Sequence, residues 1–322
     1  MNKLKQIVAW VLLGSTWITI GCRKQTSLVA VIPRTTATLL WEPLHLGVAE
    51  EARGSGLRVY WNAPSYEGDT ERQISMFSAA RLKGYRGIIF APDETFASRS
   101  VVLEAVADQI PVVIVDDQLG PPTGRYLSYV STDEAAGASL AAQRIAKLLH
   151  GHGTIAILGI SPRLESGLTR EQYFARALAL EAPDIHVSAR RFGDSVVTHQ
   201  QQIAQAVLIG KEHVDAIVAL SATATRGAYY AKLATEPQQP VIIVGFDQDL
   251  LLPVLSGEVD SVVVQNTLAI GKIAMHNLDS QILGEAVKGV TLVPPILLTR
   301  ETLNSPEVTN LWKFSLYHWA EQ

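Results

Sequence analysis

Residues 110–118 read Ile-Pro-Val-Val-Ile-Val-Asp-Asp-Gln, an unbroken apolar run that ends in two adjacent carboxylates. Apolar runs without alternation are typical of strands that are buried on both faces of a parallel sheet. In open α/β sheets, ligands bind beyond the carboxyl ends of the strands. The stretch therefore predicts a buried strand over Val112 to Val115, and it places Asp116 and Asp117 where a ligand would bind.

The same pattern recurs on both sides of this stretch. Short β-rich runs alternate with amphipathic helical segments from Leu28 almost to the C-terminus, first in one series and then in a second, similar one. Such alternation is the signature of a doubly wound parallel sheet. We therefore predict an α/β fold of two similar doubly wound parallel-sheet lobes, joined by a three-segment hinge.

The last unit of the pattern indicates that the chain returns to the first lobe. It consists of a long predicted helix at 269–283 and a single predicted strand at 291–298. We expect the C-terminal tail to form a helix packed on the body. The predicted divisions are a signal peptide at 1–21, a tether at 22–27, an N-terminal lobe at 28–132 plus 266–294, a C-terminal lobe at 133–265 plus 295–303, and the tail at 304–322.

The N-terminus carries an export signal. A basic start precedes an apolar run from Ile7 to Ile20, which Gly21 and Cys22 follow. That order is typical of a secretory signal peptide. Cys22 is the only cysteine of the chain, and we expect it to be acylated, which would anchor the protein by a lipid in the periplasm or at the outer face of the cytoplasmic membrane. The alternative is a plain signal peptide, since Thr19 stands where lipoprotein signals usually have leucine.

Composition limits the partners of this 322-residue chain. Its 27 Lys and Arg and 31 Asp and Glu give a net charge of -4, with no block of like charges. Nucleic acid is not an expected partner, because phosphate binding needs concentrated positive charge. The eight histidines are scattered without a His-x-x-x-His pair, and a lone cysteine leaves no intrachain disulfide. We therefore predict neither a metal nor a cofactor.

Polar residues stand directly after the predicted strands of both halves. Because the carboxyl ends of parallel strands meet at one sheet edge, these side chains are expected to face a common cleft. Asp and Asn at such positions also cap helices and shape turns, so each residue has a local explanation as well. In chain order they are Arg34, Thr35, Thr36, Asp93, Asp116, Asp117, Gln118, Ser221, Thr223, Asp247, Gln248, Gln265 and Asn266.

The sequence lacks the motifs of common enzyme classes. It contains neither Gly-x-Ser-x-Gly nor a Gly-x-x-x-x-Gly-Lys phosphate loop. Asp116 and Asp117 are a possible acid/base pair for catalysis. However, successive side chains at the end of a strand point in opposite directions, which disfavours a shared reaction centre. We therefore predict no catalytic residues and no enzymatic activity.

Taken together, the motifs resemble a known family. In order they are Val29-Ala-Val-Ile-Pro-Arg-Thr-Thr with Trp41 and Gly47, Ile110-Pro-Val-Val-Ile-Val-Asp116, Tyr129-Val-Ser-Thr-Asp133 with Gly137, Arg170 with Phe174, Val244-Gly-Phe-Asp247, and Val264-Gln265 with Gly271. They are similar to those of the periplasmic sugar-binding proteins of bacterial ABC importers, of the ribose-binding type. These proteins share a fold with the ligand-sensing part of lactose-repressor-type regulators.

The resemblance implies roles for individual residues. In that family, the residue that matches Asp116 accepts hydrogen bonds from sugar hydroxyls, and the residue that matches Arg170 donates hydrogen bonds to sugar oxygens. Trp41 stands where an aromatic ring covers a face of the sugar, which suits an apolar C–H face. The alternative for Trp41 is a core aromatic at the start of a helix. Ionised side chains give short, charge-assisted hydrogen bonds to hydroxyls. The further ligand-binding positions expected are Arg34, Thr38, Asp117, Ser221, Asp247 and Gln265.

Departures from the ribose pattern leave the identity of the ligand open. Asp117 replaces an arginine, Leu40 replaces one of two aromatics, and Ser221 replaces an asparagine. A different pentose or hexose, a polyol, and a cationic or amine-bearing molecule all fit. The last fits because two adjacent carboxylates favour positive charge.

The predicted function is therefore that of a lipid-anchored, monomeric solute-binding protein. It would capture a monosaccharide or related polyhydroxylated molecule between its lobes and present it to an ABC permease. The alternative is a sensor subunit that uses the same clamp and hands its closed form to a membrane receptor or kinase. A transcription regulator is disfavoured, since the 27 residues before the first strand show a signal segment and no helix-turn-helix pattern.

Overall fold

The structure is a computed structural model that describes residues 27–37, 39–162, 165–211, 213–246, 248–306, 308–309 and 311. The predicted signal peptide, Cys22 and most of the tether lie outside the described residues, as does most of the tail. Thr38 and Asp247, two of the predicted ligand-binding residues, also lie outside them.

The described strands all belong to two sheets. They are β1 (Leu28–Ile32), β2 (Arg58–Trp61), β3 (Ile88–Phe90), β4 (Val112–Val115), β5 (Leu127–Thr132), β6 (His152–Ile160), β7 (Asp184–Phe192), β8 (Ala216–Ala219), β9 (Ile242–Phe246), β10 (Ser261–Val264), β11 (Val290–Val293) and β12 (Ile296–Thr299).

Helices connect the strands, as expected for parallel pairing. They are α1 (Glu42–Ser55), α2 (Thr70–Leu82), α3 (Thr95–Ala107), α4 (Glu134–Leu148), α5 (Glu165–Glu181), α6 (Val197–Leu208), α7 (Ala222–Thr235), α8 (Leu251–Ser256) and α9 (Thr267–Leu283). A 3₁₀ turn at Leu39–Trp41 precedes α1.

Each sheet forms the centre of one lobe. The strand order is β11-β5-β4-β3-β1-β2 in the first sheet and β12-β10-β9-β8-β6-β7 in the second. All described strand pairs are parallel except β10 with β12, which is antiparallel. The predicted α/β fold of two similar doubly wound lobes is confirmed.

Burial explains why the apolar runs form central strands. Val113 and Val115 pack on one face of the first sheet with α1 and α9, while Val112 and Ile114 pack on the other face with α2 and α3. All four residues are at most 1% exposed. A strand covered on both faces cannot alternate polar and apolar residues, because each face needs apolar side chains.

The chain passes between the sheets after β5, after β10 and between β11 and β12. Where the sequence predicts one strand at 291–298, the structure has two, which join different sheets. The separating residues Pro294 and Pro295 lack the backbone N–H that a continuous ladder needs. These crossings support the predicted lobe boundaries, which we keep as our proposal.

Two glycines allow α1 and α9 to pack backbone against backbone. A Cβ atom added to Gly271 would lie 2.2 Å from the carbonyl oxygen of Leu44, and one added to Gly47 would lie 2.3 Å from that of Leu268. Real side chains do not approach backbone atoms so closely, so larger residues would force the helices apart. This contact fixes α9, which connects the two sheets, on the first lobe.

Gly271→Ala is therefore expected to destabilise the protein by about 1–3 kcal/mol through overpacking. The matched control is Gly54→Ala, because Gly54 also lies in a helix and an added Cβ would meet nothing within 4 Å. Alanine there should stabilise the helix by about 0.5–1 kcal/mol. Chemical denaturation measures both effects, and equal effects of the two substitutions would contradict the packing account.

Candidate functional site

A cavity of about 90 Å³ lies between the two lobes. Side chains from the carboxyl ends of strands in both sheets line it, as expected for this class of fold. The first lobe contributes Arg34, Leu40, Glu67 and Asp116. The second lobe and the crossing segment contribute Gly159, Ser161, Ser166, Gly167, Arg170, Ser195, Leu220, Ser221, Ala222, Thr223, Arg226, Phe246, Gln248, Val263 and Gln265.

A buried glutamine holds the loops of the first lobe that form one wall. Gln73, on α2, donates hydrogen bonds to the carbonyl oxygens of Pro33 and Ala91 at 2.9 and 2.8 Å, and its Oε1 accepts one from the Asp93 N–H at 2.9 Å. The Asp93 carboxylate in turn accepts from the Gly68 N–H at 3.0 Å and the Thr70 hydroxyl at 2.7 Å. These bonds fix the loops that follow β1, β2 and β3.

Arg34 pairs with both adjacent carboxylates after β4. Its Nη2 lies 2.5 Å from Asp116 Oδ2 and also donates to Asp117 Oδ2. Its Nε donates to the Pro92 carbonyl oxygen at 3.1 Å. Burial by itself would lower the pKa of Arg34, but the two carboxylates outweigh that effect and raise it. The guanidinium therefore stays charged and compensates the carboxylates.

The backbone directs Asp116 and Asp117 to different places. Asp116 has a φ of 72°, in the left-handed region that non-glycine residues seldom adopt. Its side chain lines the cavity, whereas that of Asp117 does not. Strained backbone of this kind is characteristic of functional sites, where the surrounding structure enforces it.

Asp117 connects the two lobes. Its Oδ1 accepts a hydrogen bond of 2.8 Å from the backbone N–H of Ser166, which lies in the first turn of α5 in the second lobe. The residue is 1% exposed, and burial raises the pKa of Asp117 against the opposing effect of Arg34. A buried carboxylate that spans the cleft links the position of α5 to that of Arg34.

Arg170 is held from three sides. Its Nε and Nη2 donate to the Glu134 carboxylate at 2.5 and 2.8 Å, and its Nη1 donates to the Leu220 carbonyl oxygen at 2.9 Å. The guanidinium carbon lies 4.6 Å from the centre of the Phe246 ring. Because Glu134 binds it in a bidentate manner, the guanidinium is oriented before any ligand arrives.

Ser221 has a local role as well as a place on the cavity wall. It is the N-cap of α7, and its hydroxyl accepts a hydrogen bond from the Ala224 N–H at 3.2 Å. Gly159 passes close by, and a Cβ added there would lie 2.8 Å from the Ser221 hydroxyl oxygen. The Ser221 hydroxyl also lies 3.4 Å from the Thr223 hydroxyl, and either of the two can donate to the other.

Glu67 is a cavity residue that no sequence motif indicates. It is partly buried in the loop between β2 and α2. Burial raises the pKa of Glu67, while the nearby Arg34 lowers it and Asp93 and Asp116 raise it further. A positive charge added beside Glu67 would stabilise the ionised form of its carboxyl group.

The structure brings together most of the predicted site residues. Arg34, Asp116, Arg170, Ser221 and Gln265 line the cavity. Asp117 is displaced from the cavity wall, where it binds Arg34 and Ser166.

Trp41 does not occupy the position that the family resemblance implies. It is 1% exposed and packs in the core of the first lobe with Leu44 and Val48. The 3₁₀ turn that contains Trp41 leaves Leu40 on the cavity wall and turns the indole into the core. The indole therefore occupies the core, as the alternative for Trp41 predicts, and it does not line the cavity in this structure.

The site also contains residues that the sequence analysis does not predict, among them Glu67, Glu134, Ser166 and Arg226. Glu67 follows β2, so the rule that selected the residues after the other strands also applies to it. Ser166 and Glu134 stand at the beginnings of α5 and α4. Arg226 lies within α7 and pairs with Asp249 at 2.9 Å. A pairing between residues distant along the chain leaves no signal in a single sequence.

Within the described ranges, no group of three or more His, Cys, Asp and Glu side chains is arranged to hold a metal ion. The helices of the same ranges include none that has the length and apolar character to cross a bilayer.

A comparison with protein-family models matches residues 29–286 to the periplasmic binding protein domain. The chain belongs to the periplasmic binding proteins. This result confirms the family and fold that the motifs indicate. Proteins of this family bind solutes without transforming them, so the prediction that the chain is not an enzyme is also confirmed.

Relatives of this periplasmic binding protein include named sugar binders. It is 28% identical to the D-allose-binding periplasmic protein of Escherichia coli over 75% of its own length and 80% of the relative's. It is 25% identical to the ribose import binding protein RbsB of Haemophilus influenzae, over 89% and 96% of the two chains. A solute-binding protein of an ABC transporter from Agrobacterium vitis, solved with α-D-tagatopyranose, superposes with a TM-score of 0.80 at 20% identity, covering 88% of this chain and 98% of the other.

The buried pair of Arg170 and Glu134 yields a prediction about stability. Arg170→Ala is expected to destabilise the unliganded protein by about 3–5 kcal/mol, because it leaves the Glu134 carboxylate buried without a cation. Removing both side chains should cost clearly less than the sum of the single substitutions. The control is Arg176→Ala on the exposed side of the same helix, expected within about 0.5 kcal/mol of the parent. Additive effects in denaturation experiments would contradict the pairing.

The raised pKa of Glu67 yields a prediction about pH. Above the ordinary value of 4.5, the folded chain keeps a proton on Glu67 that the unfolded chain has lost, so this residue's contribution to stability falls as pH rises. Other charged groups also act on Glu67, namely Arg34, Asp93, Asp116 and Arg226. To isolate the contribution of Glu67, the free energy of unfolding is compared between the parent and Glu67→Gln. The parent should lose stability relative to the variant as pH rises above about 4.5, the ordinary pKa of the group. A difference that does not change with pH would contradict the assignment.

Proposed function

We propose that this protein captures a monosaccharide or a related polyhydroxylated small molecule between its lobes and presents it to an ABC importer. The observation that carries the proposal is a cavity whose walls come from both lobes and bear carboxylates, guanidinium groups, hydroxyls and amides. Hydroxyl groups of a sugar both donate and accept, so they match such a mixed wall. The names of the relatives, which bind allose and import ribose, support the same ligand class.

The residues proposed to contact the ligand are those on the cavity wall. Asp116 accepts from hydroxyl groups, and Arg170, oriented by Glu134, donates to oxygens. Arg34, Ser221 and Gln265 complete the polar contacts. Thr38 and Asp247 remain proposed ligand contacts on the strength of the sequence resemblance.

Binding and closure are proposed to be one process. The lobes are joined by crossing segments at which a hinge motion can occur. A ligand stabilises the closed form only to the extent that it binds that form better, and contacts with both lobes supply that preference. Asp116 and Arg170 belong to opposite lobes, so a ligand that touches both holds them together.

We further propose that the protein works as a monomer outside the cytoplasm, anchored by a lipid on Cys22. The periplasmic binding protein family supports the location, and the basic, apolar and Gly-Cys order of the N-terminus supports the anchor. A sensor subunit would use the same two-lobed binding site. Relatives such as RbsB are named as import binding proteins, which supports delivery to a permease.

Isothermal titration with a panel of pentoses, hexoses and polyols tests the proposal. At least one compound should bind, and Asp116→Ala should weaken its binding by at least about tenfold, since a hydrogen bond to a charged group contributes about 1.5–3 kcal/mol. The control is Asp108→Ala, because Asp108 lies in the same lobe but pairs with Arg81 on the exterior. Failure of every compound in the panel to bind would refute the proposed function.

A further inference from the structure

We infer that the cleft selects a polyhydroxylated molecule that carries a protonated amine, such as an amino sugar or amino polyol, over the neutral molecule of the same shape. The inference rests on the proposed function and specifies its ligand class. It derives from the charge balance of the cavity wall and from the hydrogen-bond acceptors on that wall.

Each of the three arginines on the wall already has a carboxylate that does not itself line the cavity. Arg34 binds Asp117, Arg170 binds Glu134, and Arg226 binds Asp249. The cavity itself is lined by two further carboxylates, Glu67 and Asp116. After these pairings the described part of the wall carries two carboxyl groups in excess of its arginines, and a bound cation would favour the ionised form of Glu67 against the burial that raises its pKa.

Glu67 and Asp116 are positioned to receive one cation together. Asp116 is close enough to Glu67 to raise the pKa of Glu67. Both residues lie close to Arg34, whose Nη2 Asp116 shares with Asp117. The loop of Glu67 is fixed, since the adjacent Gly68 N–H is bonded to the Asp93 carboxylate at 3.0 Å. Burial and the neighbouring carboxylates disfavour the ionised form of Glu67, and an added ammonium group offsets that cost whereas a neutral hydroxyl leaves it in place.

The second observation is an excess of hydrogen-bond acceptors. Gln248 lines the cavity and is 6% exposed, and its Oε1 has no hydrogen-bond partner among the described residues. The Oε1 of Gln265, on the same wall, is also unpartnered within that part of the chain. An ammonium group offers three donors and no acceptor, so it matches a wall that needs donors. A buried acceptor without a donor costs about 1–3 kcal/mol, which a bound donor recovers.

An acidic sugar is the opposite possibility, since three arginines face the cavity. Their carboxylate partners already neutralise them, so a ligand carboxylate would add a third acidic group beside Glu67 and Asp116. The same charge count that favours an amine therefore disfavours an acid.

Isothermal titration at about pH 7, where simple amines are protonated, tests the inference with matched compounds. Hexosamines with the amine at C2, C3 or C6 and 1-amino-1-deoxyhexitols are each compared with the neutral parent, with the N-acetyl derivative and with hexuronic acids. At least one free amine should bind about tenfold to a hundredfold more tightly than its parent and its N-acetyl form, as expected for one charge-assisted contact. Neutral parents that equal or exceed their amines in every pair would overturn the inference and leave the proposed function standing. If no compound of any kind binds, both fail.

A charge-neutralising substitution separates charge from shape. Glu67→Gln should lower the affinity for the preferred amine about tenfold more than it lowers the affinity for the neutral parent, the scale of one such contact. Asp116→Asn provides a second variant with the same expected loss of preference. The control is Glu71→Gln, an exposed residue in the first turn of α2 that does not line the cavity. Thermal denaturation verifies that each variant is folded. Equal losses for amine and parent in Glu67→Gln and Asp116→Asn, or an unchanged preference in both, would overturn the inference.

Discussion

The ion pairs of Arg34 with Asp116 and Asp117 are the interaction on which the cleft depends. Two adjacent buried carboxylates without a cation would repel each other and would be expensive to keep ionised. With Arg34 in place, Asp116 can face the cavity while Asp117 reaches the Ser166 N–H of the opposite lobe. The same guanidinium therefore supports both the proposed ligand-binding carboxylate and the contact between lobes.

Each lobe carries its binding groups in a different way. In the first lobe, loops after parallel strands are fixed by Gln73 and Asp93, and Asp116 adopts a strained φ of 72°. In the second lobe, the guanidinium of Arg170 is fixed by Glu134 before a ligand binds. Both arrangements keep charged groups buried, which stabilises the fold little but orients the groups in advance.

Most of the architecture and about half of the site can be predicted from the sequence. Apolar runs reveal the buried strands, and the rule that ligands bind after parallel strands locates Arg34, Asp116, Ser221 and Gln265. The orientation of side chains cannot be predicted in this way, because the direction of Trp41 depends on a 3₁₀ turn and that of Asp117 on the positive φ before it. Pairings between distant residues, such as Glu134 with Arg170, arise only when the chain has folded.

A crystal structure of the protein with its tightest-binding compound tests the central claim most directly. We predict one molecule of the compound between the lobes, with its oxygens or nitrogens within hydrogen-bonding distance of Asp116 on one side and Arg170 on the other. A compound bound elsewhere on the protein, with no contact to Asp116 or Arg170, would contradict the account.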